Sequence, residues 1–600
     1  MAMIDLPPAL PLMAGAVAMT LARGKARWVI GLGAPILALA DSWYVITEGA
    51  ESFVPFLGHT LNPVHLHHAT PVFATIFCIA ALGGMLFSLH QDRKVEQSSG
   101  LWHAGGALGV VFAGDLVTLL VFWELMTLGS LAIIWSGGQK HSYGAGLRYF
   151  GMHALGGVAM MIGIVMLVTQ RIQTGHADPL AFSHFAEFAA AWPEFSWQTA
   201  GPWLILIGML VNVGAPPFSP WIADAYPEGS SSGTVILSAF TTKTAIFTLL
   251  VGFAGFEALI YLGLWMACYG IVYAILENDV RRILAYSIVN QVGFMMVGIG
   301  VGTKLSIDGT AAHAFAHIVY KGLLMMSAGS VLAATGKRKC TELGGLYRTM
   351  PVTMWCGIIG ALSISSFPLT SGFTTKSMIV TGIYQQGELL AQTGASHTHL
   401  IVAWFILEAA TAGVFLHAGI KFPWFVFFQK DSGLRPPDPP WNMKAAMIGF
   451  AAICVLLGVF PGILYEILPY KLAAARYARV VYSFEHVIEM LGLLLFGGLA
   501  FFVLLPILKR KETITLDWDW IWRAFIPRMY REVLSPLLAM LQSAQKTVLE
   551  TLPGRGMHDS SLPAPIARRA AAMWAVSVPV FLIVLMLLVY LVVYFVLPTL

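Results

Sequence analysis

Asn212-Val213-Gly214-Ala215-Pro216-Pro217-Phe218-Ser219-Pro220-Trp221 interrupts a run of apolar residues that is otherwise long enough to form a helix. Proline removes a backbone donor and clashes with the preceding turn, so a helix entering at residue 201 must kink or break here. The same happens at Ser365-Ser366-Phe367-Pro368-Leu369-Thr370-Ser371-Gly372-Phe373. Broken backbone at membrane depth survives only where protein or a water-filled cavity satisfies it. One such break is an ordinary proline kink. Two, at corresponding places in two halves and each with a lysine nearby, point to a transporter built on inverted repeats.

The surrounding sequence supplies the membrane context. Of 600 residues 57% are apolar and only 11% charged, whereas soluble domains carry about 25% charged residues. Runs of about 20 apolar residues, the length that spans a bilayer, recur along almost the whole chain. They are expected near 7–22, 28–48, 69–90, 101–114, 115–136, 147–170, 201–215, 231–254, 257–276, 283–302, 309–335, 350–385, 399–428, 443–468 and 485–507. The leading run lacks a positive n-region and carries Asp5, so it reads as a first span rather than a cleaved signal. The balance of 35 Lys and Arg against 31 Asp and Glu leaves no basic stripe of the kind that binds nucleic acid. Five scattered cysteines, with no CxxC pair, argue against a disulfide framework, a structural zinc or an iron–sulfur cluster.

Past residue 507 the pattern changes. Lys509-Arg510-Lys511-Glu512 ends the last core helix, and residues 516–552 form a Trp- and Arg-bearing amphipathic segment. Segments of this type lie in the interface plane or along a neighbouring protein. A polar linker over 553–565 leads to a final span near 571–597.

Charges inside spans cost about 2.5–3.5 kcal/mol each on insertion scales and mark functional positions by default. Glu124 falls mid-helix among apolar neighbours, where burial and a nearby cation act in opposite senses on its protonation. Its alternative role is a structural ion pair. Lys243 lies too deep in its span to snorkel and can serve as proton carrier or as counter-charge to Glu124. His313, His317 and Lys321, spaced by four, share one helix face as a ladder of titratable groups. No carboxylate accompanies them, which makes a metal centre the weaker reading. Lys376 follows the second break, where it can bond loosened carbonyls or anchor the helix at an interface. Asp115 suits a helix cap. Arg148, His103 and His153 could extend an ion path. The His65-Leu66-His67-His68 run reads as solvated loop histidines, and Glu277–Arg282 as a structural knot between helices. No soluble catalytic domain and no cofactor motif occur, so the chain is expected to be a transporter part and no enzyme by itself.

In order, Asp115…Phe122-Trp123-Glu124-Leu125, Pro216…Trp221-Ile222-Ala223-Asp224-Ala225, Lys243, Asp279-Val280-Arg281-Arg282-Ile283-Leu284-Ala285-Tyr286-Ser287, His313…His317…Lys321 and Phe367…Phe373…Lys376 resemble the antiporter-like subunits of respiratory complex I, membrane hydrogenases and Mrp-type Na+/H+ antiporters. The D-type subunit of Mrp antiporters is the most similar. The resemblance covers roughly residues 70–430. It implies an all-α polytopic fold of about 14 core transmembrane helices, with two inverted five-helix repeats containing broken helices, joined to an amphipathic lateral arm and a C-terminal transmembrane helix. The implied divisions are 1–100 (N-terminal helices), 101–254 and 257–430 (the two half-channels), 431–510 (C-terminal core helices), 514–565 (arm and linker) and 566–600 (terminal anchor). It also implies a proton path through Glu124, Lys243, His313, His317, Lys321 and Lys376, with Asp115, Arg148 and Asn212 as accessories and Pro216, Pro217 and Pro368 in the breaks. The expected partners are other membrane subunits, lipid, H+ and Na+ or another monovalent cation, in a bacterial inner membrane; neither metal nor cofactor is expected. One departure stands out. Pumping members of the family usually carry a lysine in the first broken helix, where this chain has Asn212, and asparagine cannot carry a proton charge. Glu124 then pairs with Lys243 instead, or the first half-channel is altered. The rival readings are a proton-channel subunit of a complex I-like, hydrogenase or carbon-uptake machine, and a structural subunit with a degraded transport site.

Overall fold

The computed structural model describes residues 7–56, 58–185, 199–506, 517–536 and 540. Among these, helices dominate. They are α1 (Leu10–Leu21), α2 (Lys25–Glu48), α3 (Thr70–Ser88), α4 (Lys94–Phe112), α5 (Leu116–Ser136), α6 (Ser142–Gln173), α7 (Ala200–Val213), α8 (Pro220–Ala225), α9 (Gly233–Ala239) and α10 (Thr241–Gly252). There follow α11 (Ala258–Leu276), α12 (Val280–Val301), α13 (Lys304–Thr335), α14 (Pro351–Ile364), α15 (Ser371–Gln392), α16 (Thr398–Val414), α17 (Trp441–Val459), α18 (Gly462–Tyr465), α19 (Lys471–Tyr477) and α20 (Phe484–Val503). Eleven of the described helices are long and apolar enough to cross a membrane. The count is lower than the spans expected from sequence partly because three apolar helices, α1, α7 and α14, are short.

Two features depart from the expected all-α chain. Strands β1 (Ser52–Phe56) and β2 (His59–Val64) pair antiparallel in the connection between α2 and α3. Their alternation is too short to rise above the apolar runs on either side. In addition, α16 continues as π-helical backbone over Phe415–Lys421 and Trp424–Phe428, as a bulge does when a helix must re-aim its side chains.

Contacts divide the chain into Met1–Asp519 and Trp520–Leu600. In the second unit, π-helical turns Ile521–Phe525 and Tyr530–Leu534 flank the short helix Ile526–Met529, and Trp520, Phe525 and Ile526 are exposed. These residues fall within the stretch expected to form an arm; the linker 553–565 and the span near 571–597 lie outside the described residues.

The first unit repeats an order of elements. Helices of 19, 21 and 32 residues (α4, α5, α6) precede the broken pair α7–α8. Helices of 19, 22 and 32 residues (α11, α12, α13) precede the broken pair α14–α15. The middle helix of each set opens on an aspartate cap: Asp115 accepts from the Val117 and Thr118 amides, Asp279 from those of Arg281 and Arg282. An N-cap carboxylate satisfies amides that the first helical turn leaves without partners. α12 and α13 sit at the centre of the unit, with nearly every residue of α12 buried.

Candidate functional site

Each break supplies carbonyls that no helix bonds, and buried side chains use them. At the first, α7 ends on Gly214 in the left-handed region (φ 77°). Ser219 Oγ donates to the Gly214 carbonyl at 2.7 Å and Trp221 Nε1 to that of Val211 at 2.8 Å. Pro216 and Pro217 form the turn between them, joined by a cis peptide bond. Asn212 is buried here, and its Oδ1 has no partner. At the second, α14 stops at Ile364, Pro368 lies in the turn, and Ser366 and Leu369 take positive φ (61° and 68°). Lys376, at the start of α15, reaches back and donates to the Ile364 carbonyl at 3.0 Å. It is therefore bonded to the break itself and not to an interface.

A third interruption lies where one continuous span was expected. The helix over 231–254 is split at Phe240 (φ −105°, ψ −68°) into α9 and α10. Lys243 Nζ donates to the Ser238 carbonyl at 2.6 Å across that kink. Of the two alternatives for Glu124, a pair with Lys243 is not formed: among the described residues no ion pair joins them, and the ammonium is held by the Ser238 carbonyl at the kink. Glu124 lies half-buried on α5 against Gly157 of α6, where an added Cβ would stand 2.1 Å from Oε1.

Between these lysines runs the ladder on α13. Lys243, His313, His317, Lys321 and Lys376 are all at most 1% exposed. Lys321 Nζ donates to Ser287 Oγ at 2.9 Å. His313 meets Thr375 Oγ1 through Nδ1 and Gln291 Oε1 through Nε2, both at 3.2 Å, and the Tyr320 hydroxyl donates to the same Gln291 oxygen at 3.0 Å. His317 has no hydrogen-bond partner at either ring nitrogen, while the charges of Lys243, Lys321 and Lys376 all act on it. Thr375 neighbours Lys376, so His313 ties the ladder to the second break.

Other expected residues have local partners. Asp115 also accepts from the Asn62 amide at 2.8 Å and from Thr118 Oγ1 at 2.6 Å. Arg148 grips Asp224 at 2.6 and 2.9 Å, tying α6 to α8. His103 Nδ1 bonds the Met126 carbonyl at 2.9 Å, with Thr241 Oγ1 3.5 Å from Nε2. His153 stacks on Tyr149 with ring centres 3.9 Å apart. The histidine run is solvated in part: His68 is exposed and stacks on Tyr470, and His65 pairs with Glu51 at 2.8 Å at the surface, whereas His67 bonds the Ala113 carbonyl at 2.9 Å. The residues 277–282 do form a knot. Arg282 pairs with Glu277, Arg338 with Asp279 and Glu228, and buried Arg281 donates to the carbonyls of Pro227, Gly229 and Ser230.

Ser287, Asn290 and Gln291 of α12, Glu408 of α16 and His417 were not singled out from the sequence. Polar side chains inside an apolar helix are the signal that could have found them. His417 is buried, its Nδ1 bonded to the Gly413 carbonyl at 2.8 Å and its Nε2 without a partner.

Fold and site together define a polytopic helical membrane protein with ionisable side chains enclosed at helix breaks. Residues 113–402 match the family model described as NADH:quinone oxidoreductase/Mrp antiporter, transmembrane. That region, just under half of the chain, matches this family, and the chain is a polytopic integral membrane protein similar to subunits of Mrp and complex I-like assemblies. It is 28% identical over 469 residues to the A/B subunit of a probable K(+)/H(+) antiporter of Rhizobium meliloti, covering 73% of this chain and 45% of that protein. It is 26% identical over 457 residues to the D subunit of a Na(+)/H(+) antiporter of Bacillus subtilis, covering 72% of this chain and 87% of the relative. The chain thus spans less than half of the first relative and most of the second. In fold it is similar to a chain of the Mrp complex of Dietzia sp. DQ12-45-1b (TM-score 0.64, 18% identity, 82% of this chain and 99% of that one). It is also similar to a chain of an archaeal membrane-bound sulfane sulfur reductase (TM-score 0.66, 22% identity, 96% and 100%).

Proposed function

We propose that this chain is the proton-translocating, D-type component of a multisubunit Mrp-type monovalent cation/proton antiporter in a bacterial inner membrane. The observation that carries this reading is the enclosed row Lys243, His317, Lys321, Lys376, whose two terminal lysines are each bonded to a carbonyl freed by a helix interruption. A buried ammonium needs an acceptor and gives up its proton more readily than an exposed one, which suits it to passing protons in a dry interior. The repeated order of capped helix, 32-residue helix and broken helix supports two inverted five-helix repeats within about fourteen core helices, with half-channels at 101–254 and 257–430. Residues 1–100 and 431–510 then flank the repeats. The segment 514–565 is a lateral arm contacting other subunits, and 566–600 its anchor. Protons pass from the Glu124–Lys243 side through His317, Lys321 and His313 to Lys376, each ionisation biasing the next.

The test is ΔpH-driven cation exchange in everted vesicles holding the intact complex. Lys321→Ala or Glu124→Ala is expected to abolish exchange while the complex still assembles; full exchange in an assembled variant rejects the assignment. A second reading, with the first half-channel silent, is favoured by Asn212, whose buried oxygen is unpartnered, and by Glu124, which forms no ion pair among the described residues. Under it Glu124→Ala exchanges normally and Lys321→Ala alone is inactive.

A further inference from the structure

Behind the second break lies a cavity of about 460 Å³ between α15, α16, α19 and α20. Only Val380, Val480 and Trp404 of its lining are neither acidic, hydroxyl-bearing nor imidazole. Two lining hydroxyls, those of Ser377 and Tyr477, belong to residues 4% exposed; they lie close to one another, and Tyr477 also close to Thr381, without meeting in hydrogen-bonding geometry. An unmet buried hydroxyl costs about 1–3 kcal/mol, and a polar chamber of this size admits water that can meet the need. Pure hydrocarbon could not.

The cavity reaches the ion path. Ser377 is the neighbour of Lys376, and Glu408 of α16 is close enough for its charge to act on Lys376, while Glu489 of α20 acts on Glu408. No ion pair joins Glu408 to Lys376 among the described residues, so a transfer between them must run through water. Glu485 and His486 of α20, and Tyr384 of α15, complete the titratable groups on the walls. The acidic members all lie beyond residue 402, outside the region that the family model matches.

We propose that this cavity is an aqueous proton port and that Glu408 passes protons between its water and Lys376. The proposal rests on Lys376 as a path residue. In the outward step the Lys376 ammonium gives one proton, through water, to the Glu408 carboxylate, leaving a neutral amine and a carboxylic acid. The acid then releases that proton to cavity water, and uptake runs in reverse. Glu485 and Glu489 hold a negative potential over the mouth that concentrates hydronium.

Val380→Cys in the intact complex, in native membranes, is expected to react with a charged methanethiosulfonate applied from one face and not from the other, since Val380 lines the cavity and is buried from the outer surface. Glu408→Gln is expected to slow proton-coupled exchange about tenfold or more while Val380→Cys still labels, and Glu408→Asp to recover part of the rate. Labelling by a membrane-permeant maleimide alone means a lipid-filled groove and overturns the port. Full exchange in Glu408→Gln overturns the transfer role. Full exchange in Lys376→Ala rejects the path reading and the transfer step with it, whereas labelling, which needs no transport, still decides whether water enters.

Discussion

Gly157 decides where the Glu124 carboxyl sits: a methyl there would overlap Oε1. Gly157→Ala is therefore expected to displace the carboxylate and, if Glu124 is on the path, to lower cation exchange as much as Glu124→Gln does, with assembly unchanged in native gels. Gly372 is tighter still, since a Cβ would lie 1.7 Å from the Ser363 carbonyl oxygen. Backbone cannot yield that far in a close-packed interior, so Gly372→Ala is expected to reduce assembled complex, measured as yield from the membrane. His67 gives a pH-dependent case outside the spans. Burial against Phe182 and Phe247 holds its imidazole down at about 4 from an ordinary value of 6.5, with His65 and His68 adding to the effect and the Ala113 carbonyl opposing it. A depressed folded value means stability that is full above the unfolded value and lost as pH falls towards the folded one. Protection of the 59–69 amides, taken as the intrinsic relative to the observed exchange rate, should accordingly fall between about pH 6.5 and 4, and His67→Gln should remove that dependence. Glu124, the α13 ladder and Lys376 were legible in the sequence because charge within apolar runs is rare. Their partners were not, since which carbonyl or hydroxyl a lysine meets depends on how helices cross.

At the scale of elements, α12 ties one end of the unit to the middle of the ladder. Its first turn carries Arg281, bonded to three carbonyls of the connection after α8, and further along Ser287 and Gln291 receive Lys321 and the His313–Tyr320 pair. Arg281→Met is expected to cost about 3 kcal/mol or more, because three buried carbonyls lose a charged donor; a lowered midpoint of thermal aggregation measures it. Gln291→Leu leaves the fold but strips His313 of one partner, and slower exchange with unchanged thermal stability is the expected result. Proline marked the two broken helices in advance. The kink at Phe240 has no proline, and it arises where Lys243 draws on the Ser238 carbonyl instead of leaving it to the helix. The π-helical backbone after α16 was equally silent, since an added residue per turn reflects packing against neighbours and leaves composition unchanged.

For the whole molecule, Met1–Asp519 and Trp520–Leu600 are separate compact units. Ending the chain after Asp519 is expected to leave the first unit folded and membrane-inserted while lowering recovery of partner subunits, if the arm serves assembly; unchanged co-purification removes that role. The amino-acid sequence by itself determined the membrane class, the number of apolar runs to within a few, the two proline breaks and several of the enclosed ionisable residues, Lys243, His313, His317, Lys321 and Lys376 among them. These follow from composition and local chemistry: hydrocarbon excludes charge, and proline cannot continue a helix. Only the tertiary structure decided that Lys243 meets Ser238 and not Glu124, that Lys376 turns back to its own break, and that an acidic chamber stands behind it. Those contacts join residues on different helices or on opposite sides of a break. Helix crossing and backbone interruption set their distances, and neither is written in any local stretch of the chain.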